Sequence, residues 1–358
     1  MLLQPPTNFQ PNELVVIEFA SSQPKVTTVD TEDKKETPLV KSTLEELIQQ
    51  EWLPDPTYLQ ARNPHPYDWR VKFYAKDHVY SVAYSDNCAD FSTEFNCSVS
   101  EFVHKFFPPF DPKERIQNMK RGRNWNTEKS PYRGMSDDDI LKSWEHASTQ
   151  GTFYHSLFEN HCNGYDLANS KYNHLVPVKQ YLKWRQEFFD KHFVEFRTEF
   201  RMHSSSDLRL VGTADLIAIR KDHGTPEETG GILTISIFDW KNTKNLSMYD
   251  SRGTCGYGPC SKMSHCNYSH YCLQQNAYAY LFMHFYNNWT YNGRKYTRVQ
   301  VEMMKLVVLH DNNINNEANM VDIPDYFFIL EQMIDIRRKE VQEFIQKQKS
   351  KEVELKDQ

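Results

Sequence analysis

The chain has 358 residues, of which 39% are hydrophobic and 14% aromatic, and its formal net charge is −6. This composition is sufficient for a large buried core and excludes an intrinsically disordered protein. The acidic balance argues against a protein that coats nucleic acid through bulk charge, although it leaves room for a local basic groove.

The termini and the cysteines indicate a compartment. No run of about 18 apolar residues is present, so we expect no membrane span. The first residues lack the charged and apolar regions of a signal peptide. Seven cysteines are an odd number and favour reduced thiols. We therefore expect an intracellular protein in a reducing compartment (cytoplasm, nucleus or organelle matrix) that is not secreted.

Residues 1–135 are expected to form an N-terminal α+β extension that packs on the rest of the chain and could supply one wall of a substrate channel. A capping-box pattern at Ser42 opens a short helix. Residues 70–74 and 78–84 alternate in polarity as a hairpin does. A helix capped by Ser98 or Ser100 follows, then a short helix after Pro112.

A basic segment lies between 120 and 133, with five basic residues against one acidic residue. Aromatic side chains interleave with the charges, as in loops that contact single strands. We expect this segment to bind nucleic acid, and an ordinary solvated loop is an equally weighted alternative. The binding candidates are Lys120, Arg121, Arg123 and Trp125.

Residues 136–348 are predicted to form the core, followed by a charged tail at 349–358. The pattern gives helix, three strands, helix, strand and helix, which is a mixed α/β core with a central sheet flanked by helices. The predicted elements are helices at 136–161, 178–193, 271–285 and 325–348 and strands at 195–203, 208–220, 232–240 and 299–310.

The third core strand ends in Asp239-Trp240-Lys241. Side chains two apart on a strand share a face, so Asp239 and Lys241 are expected to point the same way. A carboxylate and an ammonium at the end of a buried strand suit a site in which the acid holds a divalent ion and the lysine positions a water. Alone, the pair could be a surface ion pair.

Other acids fall on the neighbouring strands. Glu199 lies in the first core strand, and Asp215 ends the segment Gly212-Thr213-Ala214-Asp215 in the second. Adjacent strands can bring Asp215 beside Asp239, and a divalent ion between them would relieve their repulsion. Gly212 would permit close backbone approach of a substrate. Glu199 could equally be a solvated strand residue.

Two helices carry further polar pairs at i, i+4 spacing. His155 and Glu159 share one face of the first core helix, and Gln274 and Tyr278 share one face of the later helix. An amide and a phenol on one face suit hydrogen bonds to a phosphate or a base. His155 could also be an ordinary core histidine, and Gln274 and Tyr278 could face solvent and core.

Together these motifs resemble the PD-(D/E)XK nuclease superfamily, specifically its RecB-type exonuclease branch. That branch has a histidine on the helix before the sheet, a G-x-x-D strand, a D/E-x-K strand and a Q-x-x-x-Y helix. The matching residues are His155, Gly212 to Asp215, Asp239 to Lys241, and Gln274 to Tyr278, within about residues 136–310.

The resemblance implies a restriction-endonuclease-like core and a Mg²⁺- or Mn²⁺-dependent deoxyribonuclease that acts as an exonuclease or on DNA ends. Asp215, Asp239, His155 and the backbone carbonyl of Trp240 would bind the metal. Lys241 would be catalytic, and Glu199 matches a less regular acidic position of the family. Gln274 and Tyr278 would contact the DNA, the implied partner.

Two alternatives to this function stay open. A structure-specific endonuclease or an RNA-cleaving relative would have the same motifs. A non-catalytic nucleic-acid-binding protein on a nuclease fold is the alternative from another class, although the intact motif set argues against it. The cysteines from Cys255 to Cys272 lack the spacing of structural zinc sites. Relatives with an iron–sulfur cluster have clustered cysteines after the Q-x-x-x-Y helix, whereas these cysteines precede or open that helix. We expect buried or idle thiols there.

Overall fold

The computed structural model describes residues 57–74, 77–86, 90–244, 246–250 and 252–356. The helix predicted at Ser42 lies outside these residues. The predicted mixed α/β class, with a central mixed sheet flanked by helices, is confirmed. Within the described part of the chain, none of the helices is both long and apolar enough to cross a membrane.

The first described segment forms a small antiparallel sheet. Helix α1 (Tyr58–Arg62) leads through a 3₁₀ turn into strands β1 (Val71–Tyr74), β2 (Val79–Ala83) and β3 (Phe91–Ser92), which pair in that order. The predicted hairpin is therefore confirmed. Its register places Phe73 directly opposite Tyr80.

A short strand and two capped helices follow. These are β4 (Cys97–Ser98), α2 (Val99–His104) and α3 (Pro112–Lys120). The Ser98 hydroxyl accepts a hydrogen bond from the backbone N–H of Glu101, so Ser98 is the N-cap of α2. Asp111 caps α3 in the same way. Both predicted helices are confirmed.

Helix α4 (Asp137–Cys162) is the long helix predicted after Ser136. Ser136 and Asp139 form a complete capping box, and the three acids of the first turn lie where the helix dipole favours negative charge. Helix α5 (Val176–Trp184) then continues through a π-helical turn (Arg185–Phe189) and one last turn before the sheet begins.

The central sheet contains the three predicted core strands. Antiparallel β5 (Phe193–His203), β6 (Leu210–Arg220) and β7 (Ile232–Lys241) are extended by β10 (Arg298–Val308), which runs parallel to β7. A short antiparallel strand, β11 (Asn319–Asp322), pairs with β10 at the edge. The mixture of parallel and antiparallel neighbours makes this a mixed sheet.

One edge of β6 is only partly paired. Strand β7 pairs with Leu216–Ala218, and β4 pairs with Leu210 and Val211, whereas β5 covers the opposite edge. The intervening residues 212–215 therefore lie where β7 and β6 separate. There the Asp215 carboxylate accepts a hydrogen bond from the backbone N–H of Trp240 at 2.9 Å. This separation opens the sheet at the ends of the motif strands.

Several elements differ from the prediction. The predicted 221–231 loop contains a short helix, α6 (Pro226–Thr229), and helix α7 (Asn267–Phe285) begins before the predicted start at 271. A hairpin of β8 (Trp289–Tyr291) and β9 (Arg294–Tyr296) precedes β10. The last helix, α8 (Phe327–Lys356), continues past the predicted end at 348.

Buried polar contacts attach the N-terminal segment to the sheet. The Arg197 guanidinium on β5 donates to both carboxylate oxygens of Asp68, at 3.1 and 3.0 Å, and to the carbonyl of Asn63. The Asn63 amide in turn donates to the carbonyl of Phe196. The described segment around Asn63 and Asp68 is thus packed on the core strand β5.

Candidate functional site

Three potential metal ligands from three elements converge in one place. Among the described residues, the group that could hold an ion consists of His155 on α4, Glu199 on β5 and Asp215 on β6, whose ligand atoms all lie within 4.8 Å of one another. Ligands held about 2.0–2.6 Å from a common ion lie at such separations. The three atoms are close enough together for one ion to contact them all. The trio includes Glu199, which the sequence placed outside the main ligand set.

Glu199 reaches this cluster through an unusual backbone conformation. Its φ is +42°, which side-chain-bearing residues rarely adopt within a strand. It lies between the paired residues Thr198 and Phe200, where the register would place it opposite Asp215. A strained backbone that aims a carboxylate at two other ionisable groups is typical of functional sites.

The charges of the trio favour the protonated form of His155. The Nδ1 atom of His155 lies 3.4 Å from Oδ2 of Asp215. Burial alone would lower the pKa of His155, but Asp215 and Glu199 outweigh it and raise that pKa to about 9. Burial would raise the pKa of Asp215, yet His155 and Lys241 hold it below its ordinary value.

For Glu199, the effects that favour the protonated carboxyl group outweigh those that favour the carboxylate. Burial, together with the neighbouring carboxylate of Asp215, raises the pKa of Glu199 to about 8. A carboxyl group kept protonated near neutral pH by burial and a like charge would ionise on meeting a cation.

Asp239 and Lys241 lie beside the trio and contact each other. The Lys241 ammonium is 2.6 Å from Oδ2 of Asp239, and the Gln275 amide donates to Oδ1 at 2.8 Å. Burial raises the pKa of Asp239 to about 6 against the opposing effect of Lys241. Burial would lower the pKa of Lys241, but Asp239 and Asp215 raise it above its ordinary value.

The two residues point the same way, as the strand period predicts, and the ring of Trp240 between them packs near Phe158 and Tyr181. The backbone N–H of Trp240 donates to the carboxylate of Asp215. The backbone carbonyl of Trp240 stays a predicted metal ligand.

Gln274 and Tyr278 line the same cavity from α7. The Gln274 amide donates to the Tyr278 hydroxyl and to the Ser100 hydroxyl, both at 3.0 Å. Because Tyr278 accepts this bond, its own hydroxyl proton is free to be donated into the cavity. Gly212 lies under the Tyr278 ring, where a Cβ atom would approach Cε1 to 2.6 Å. The close approach expected at Gly212 is thus made by Tyr278.

A cavity of about 620 Å³ joins these groups. A second cavity of about 470 Å³ shares His155, Glu159, Glu199 and Lys241 with it. The motif residues that line the larger cavity are His155, Glu199, Asp215, Asp239, Lys241, Gln274 and Tyr278. The sequence motifs, far apart in the chain, therefore meet in one solvent-accessible space.

The basic segment lies elsewhere. The Lys120 ammonium forms an ion pair with Asp137 at the start of α4, Arg121 and Arg123 are exposed, and Trp125 is half-buried. None of these four residues lines the cavity that holds the motif residues. That these four residues bind nucleic acid stays a prediction, and they lie outside the cavity.

The cysteine-containing loop shows separate thiols. Cys260, Cys266 and Cys272 are buried and free, and Cys255 is free and exposed. In the described part of the chain, no cysteine belongs to a group with metal-ligand geometry. Three of these four thiols are buried, as expected, and Cys88 lies outside the described residues.

Two residues that contact the motif were missed. Gln275, fully buried, binds Asp239, and the Tyr271 ring lies 4.8 Å from the Lys241 ammonium. Gln275 and Tyr271 are at i, i+4 spacing on α7, so they share a face. The same spacing that selected Gln274 and Tyr278 could have selected this second pair.

No protein-family model matches this chain, and no curated protein matches it. Its activity must therefore be inferred from the side chains of the cavity and from the resemblance of its motifs.

Proposed function

We propose that the protein is a Mg²⁺- or Mn²⁺-dependent nuclease with a restriction-endonuclease-like core, which hydrolyses DNA phosphodiester bonds as an exonuclease or end-processing enzyme. The observation that carries the proposal is the single cavity in which the metal-ligand trio, the Asp239–Lys241 pair and the Gln274–Tyr278 pair meet.

The donor set fits a divalent cation. His155, Glu199 and Asp215 would hold it, with Asp239 as the neighbouring acid. Two carboxylates in a three-ligand set suit Mg²⁺ or Mn²⁺. When bound, such an ion lowers the pKa of a coordinated water and stabilises charge that develops on a phosphate.

The residues around the trio have distinct roles in this proposal. Lys241 supplies a fixed positive charge to orient the attacking water or a phosphate oxygen, and Asp239 holds its ammonium in place. Gln275 fixes Asp239 through a buried hydrogen bond. The Tyr278 hydroxyl, oriented by Gln274, would donate to a phosphate oxygen of the strand.

The proposal is tested by cleavage assays with end-labelled single- and double-stranded DNA, a covalently closed circle and RNA, each with Mg²⁺, Mn²⁺ or EDTA. Asp239→Asn and Lys241→Met remove the charges at nearly constant size. Lys244→Met, at an exposed lysine in the same segment, is the matched control. We expect metal-dependent cleavage that falls by about 100-fold or more in both site variants and is unchanged in the control.

The outcomes separate the alternatives. Cleavage of linear DNA but not of the closed circle supports an exonuclease, whereas cleavage of the circle supports a structure-specific endonuclease. Preferential cleavage of RNA would assign an RNA-cleaving relative. If the protein binds DNA but cuts no substrate, or if both site variants cut as fast as the unmodified protein, the nuclease proposal is wrong.

A further inference from the structure

The β1–β2 hairpin forms an aromatic wall of the cavity. Phe73, His78 and Tyr80 line the same space as the metal-ligand trio, although they belong to the N-terminal segment. None of them is part of the motif set that defines the proposed nuclease site. Because these three side chains line the cavity, they can contact a molecule that enters it.

The three rings are close enough to form one surface. Phe73 and Tyr80 are directly opposite in the hairpin register, with ring centroids 4.6 Å apart, and the ring of His78 is 5.7 Å from that of Phe73. Phe73 and Tyr80 are half-buried and His78 is exposed, so part of the wall faces solvent. Aromatic faces with one open side accept a stacked ring.

The wall has a fixed position relative to the trio. The Tyr80 hydroxyl hydrogen-bonds Oγ1 of Thr213 at 2.9 Å. Thr213 is two residues before Asp215 on β6, so both side chains lie on the same face of the sheet. The hairpin is thereby attached to the strand that supplies a metal ligand.

A basic residue adjoins the wall. Arg201 is exposed, lines the same cavity and pairs directly with Thr213 on β6, which places it on the face that carries Asp215. Aromatic rings beside a cation, next to a cation-binding acidic cluster, match an unpaired nucleotide. Its base can stack on the rings and its phosphate can meet the guanidinium.

Resting on the nuclease function proposed above, we propose that this wall stacks an unpaired base adjacent to the phosphate at the metal trio. The substrate is then single-stranded DNA or an unpaired DNA end. A base inside a duplex has both faces covered by its neighbours, and a base at a blunt end is held by its pairing partner, so neither is free to enter the cavity and stack on Phe73. Blunt duplex ends are therefore poor substrates unless they fray.

The test compares Phe73→Ala and His78→Ala with Tyr74→Ala. Tyr74 is exposed on the opposite face of β1 and does not line the cavity, which makes it a matched aromatic control. Substrates are an end-labelled single strand, the blunt duplex of the same sequence, and single strands with one abasic site at successive positions from the cut. Phe73→Leu separates loss of stacking from loss of hairpin packing.

We expect the unmodified protein to cut the single strand faster than the duplex. One or two abasic positions should slow it by roughly 5- to 150-fold. Phe73→Ala and Phe73→Leu should lose a similar factor on the intact strand and show no further loss on the abasic strands, because the same contact is already missing. Tyr74→Ala should behave as the unmodified protein does.

A parallel binding measurement keeps this inference separate from the nuclease proposal. Fluorescence anisotropy in EDTA reports binding of the same labelled strands without cleavage. If no strand is cut but abasic sites and Phe73→Ala still weaken binding, the nuclease proposal fails and the stacking wall stands. If abasic sites are tolerated at every position in both assays, or the blunt duplex is cut as fast as the single strand, the stacking wall is wrong.

Discussion

At the scale of single residues, Gly212 sets how close two parts of the site can approach. A Cβ atom there would lie 2.6 Å from Cε1 of Tyr278 and 3.1 Å from Cγ2 of Val99. The approach to Tyr278 is shorter than Cβ atoms allow and the approach to Val99 is tight, so the ring would have to shift from its place on β6. The absence of a side chain at 212 is therefore what lets α7 present its hydroxyl to the cavity.

We predict that Gly212→Ala destabilises the protein by about 1–3 kcal/mol, as overpacking of a filled interior does. Urea unfolding measures the change. Gly151→Ala is the control, because a Cβ at Gly151 meets no atom within 4 Å. In a helix interior this control should stabilise slightly, by about 0.5–1 kcal/mol.

Combining Gly212→Ala with Tyr278→Leu should cost less than the sum of the two changes, since the shorter side chain relieves the contact. Additive losses would show that the Tyr278 ring is not what Gly212 accommodates.

The residue pattern in the sequence reveals which face a side chain occupies but not its partner. The strand period was enough to place Asp239 and Lys241 together, and they are in contact. It could not reveal that Glu199 lies beside His155 and Asp215, because the β5–β6 register that brings Glu199 opposite Asp215 is set by pairing between strands. Nor could it reveal the partner of Gln275, because Asp239 lies on another element.

At the scale of elements, the last helix contacts the segments before two strands of the sheet through a buried cation. Arg337 on α8 is 2% exposed. Its guanidinium donates to the carbonyl of Leu208, just before β6, and to that of Phe95, just before β4. Two loops that lead into site strands thus depend on one side chain.

We predict that Arg337→Met lowers the free energy of unfolding by about 2–4 kcal/mol, because it leaves the carbonyls of Leu208 and Phe95 without this donor. Arg338→Met, at the neighbouring and more exposed arginine, should change it by less than about 0.5 kcal/mol. Chemical unfolding of both variants checks the difference. Equal effects would mean that the Arg337 contacts do not hold α8.

The elements that the sequence revealed share a strong local signal. Helix α4 has its capping box and the core strands have long apolar runs, so their types and order could be predicted. Strands β4 and β11 are two and four residues long and are stabilised by pairing with distant strands. Elements this short have no periodicity of their own, so only the tertiary fold defines them.

At the scale of the whole molecule, the cavity brings ionisable groups of both signs together. Four carboxylates line it, from Glu159, Glu199, Asp215 and Asp239, together with His155, Lys241 and Arg201. The pKa of Glu199 is raised to about 8 and that of His155 to about 9. The folded, metal-free protein therefore retains protons that the unfolded chain would release, and its stability must depend on pH.

We predict that the metal-free protein becomes less stable as the pH rises from 6.5 to 8. Glu199 ionises less readily in the folded state than in the unfolded chain. The resulting loss of stability begins near its ordinary pKa of 4.5 and grows until the pH reaches about 8. The stabilising charge on His155 is complete below 6.5 and is lost as the pH approaches about 9. Both effects have the same sign.

Below pH 6.5, buried histidines oppose this trend. Burial lowers the pKa of His203 and of His270 to about 4, so acid destabilises the folded state through them. Above 6.5 these groups are neutral in both states. The melting temperature in EDTA should fall by several degrees across the upper window, and Glu199→Gln should flatten the slope. An unchanged slope in that variant would contradict the assignment.

A divalent ion should remove this pH penalty, because it binds the ionised carboxylates and the neutral imidazole. Saturating Mn²⁺ should therefore raise the melting temperature more at pH 8 than at pH 6.5, with about 2.7 kcal/mol of stabilisation when the free ion is 100 times its Kd. Asp215→Asn, which removes one ligand of the trio, should abolish most of the shift. If Mn²⁺ shifts the melting temperature of this variant as much as that of the unmodified protein, the ion binds elsewhere. If the shift is lost, metal binding depends on Asp215, which lies where β6 and β7 separate.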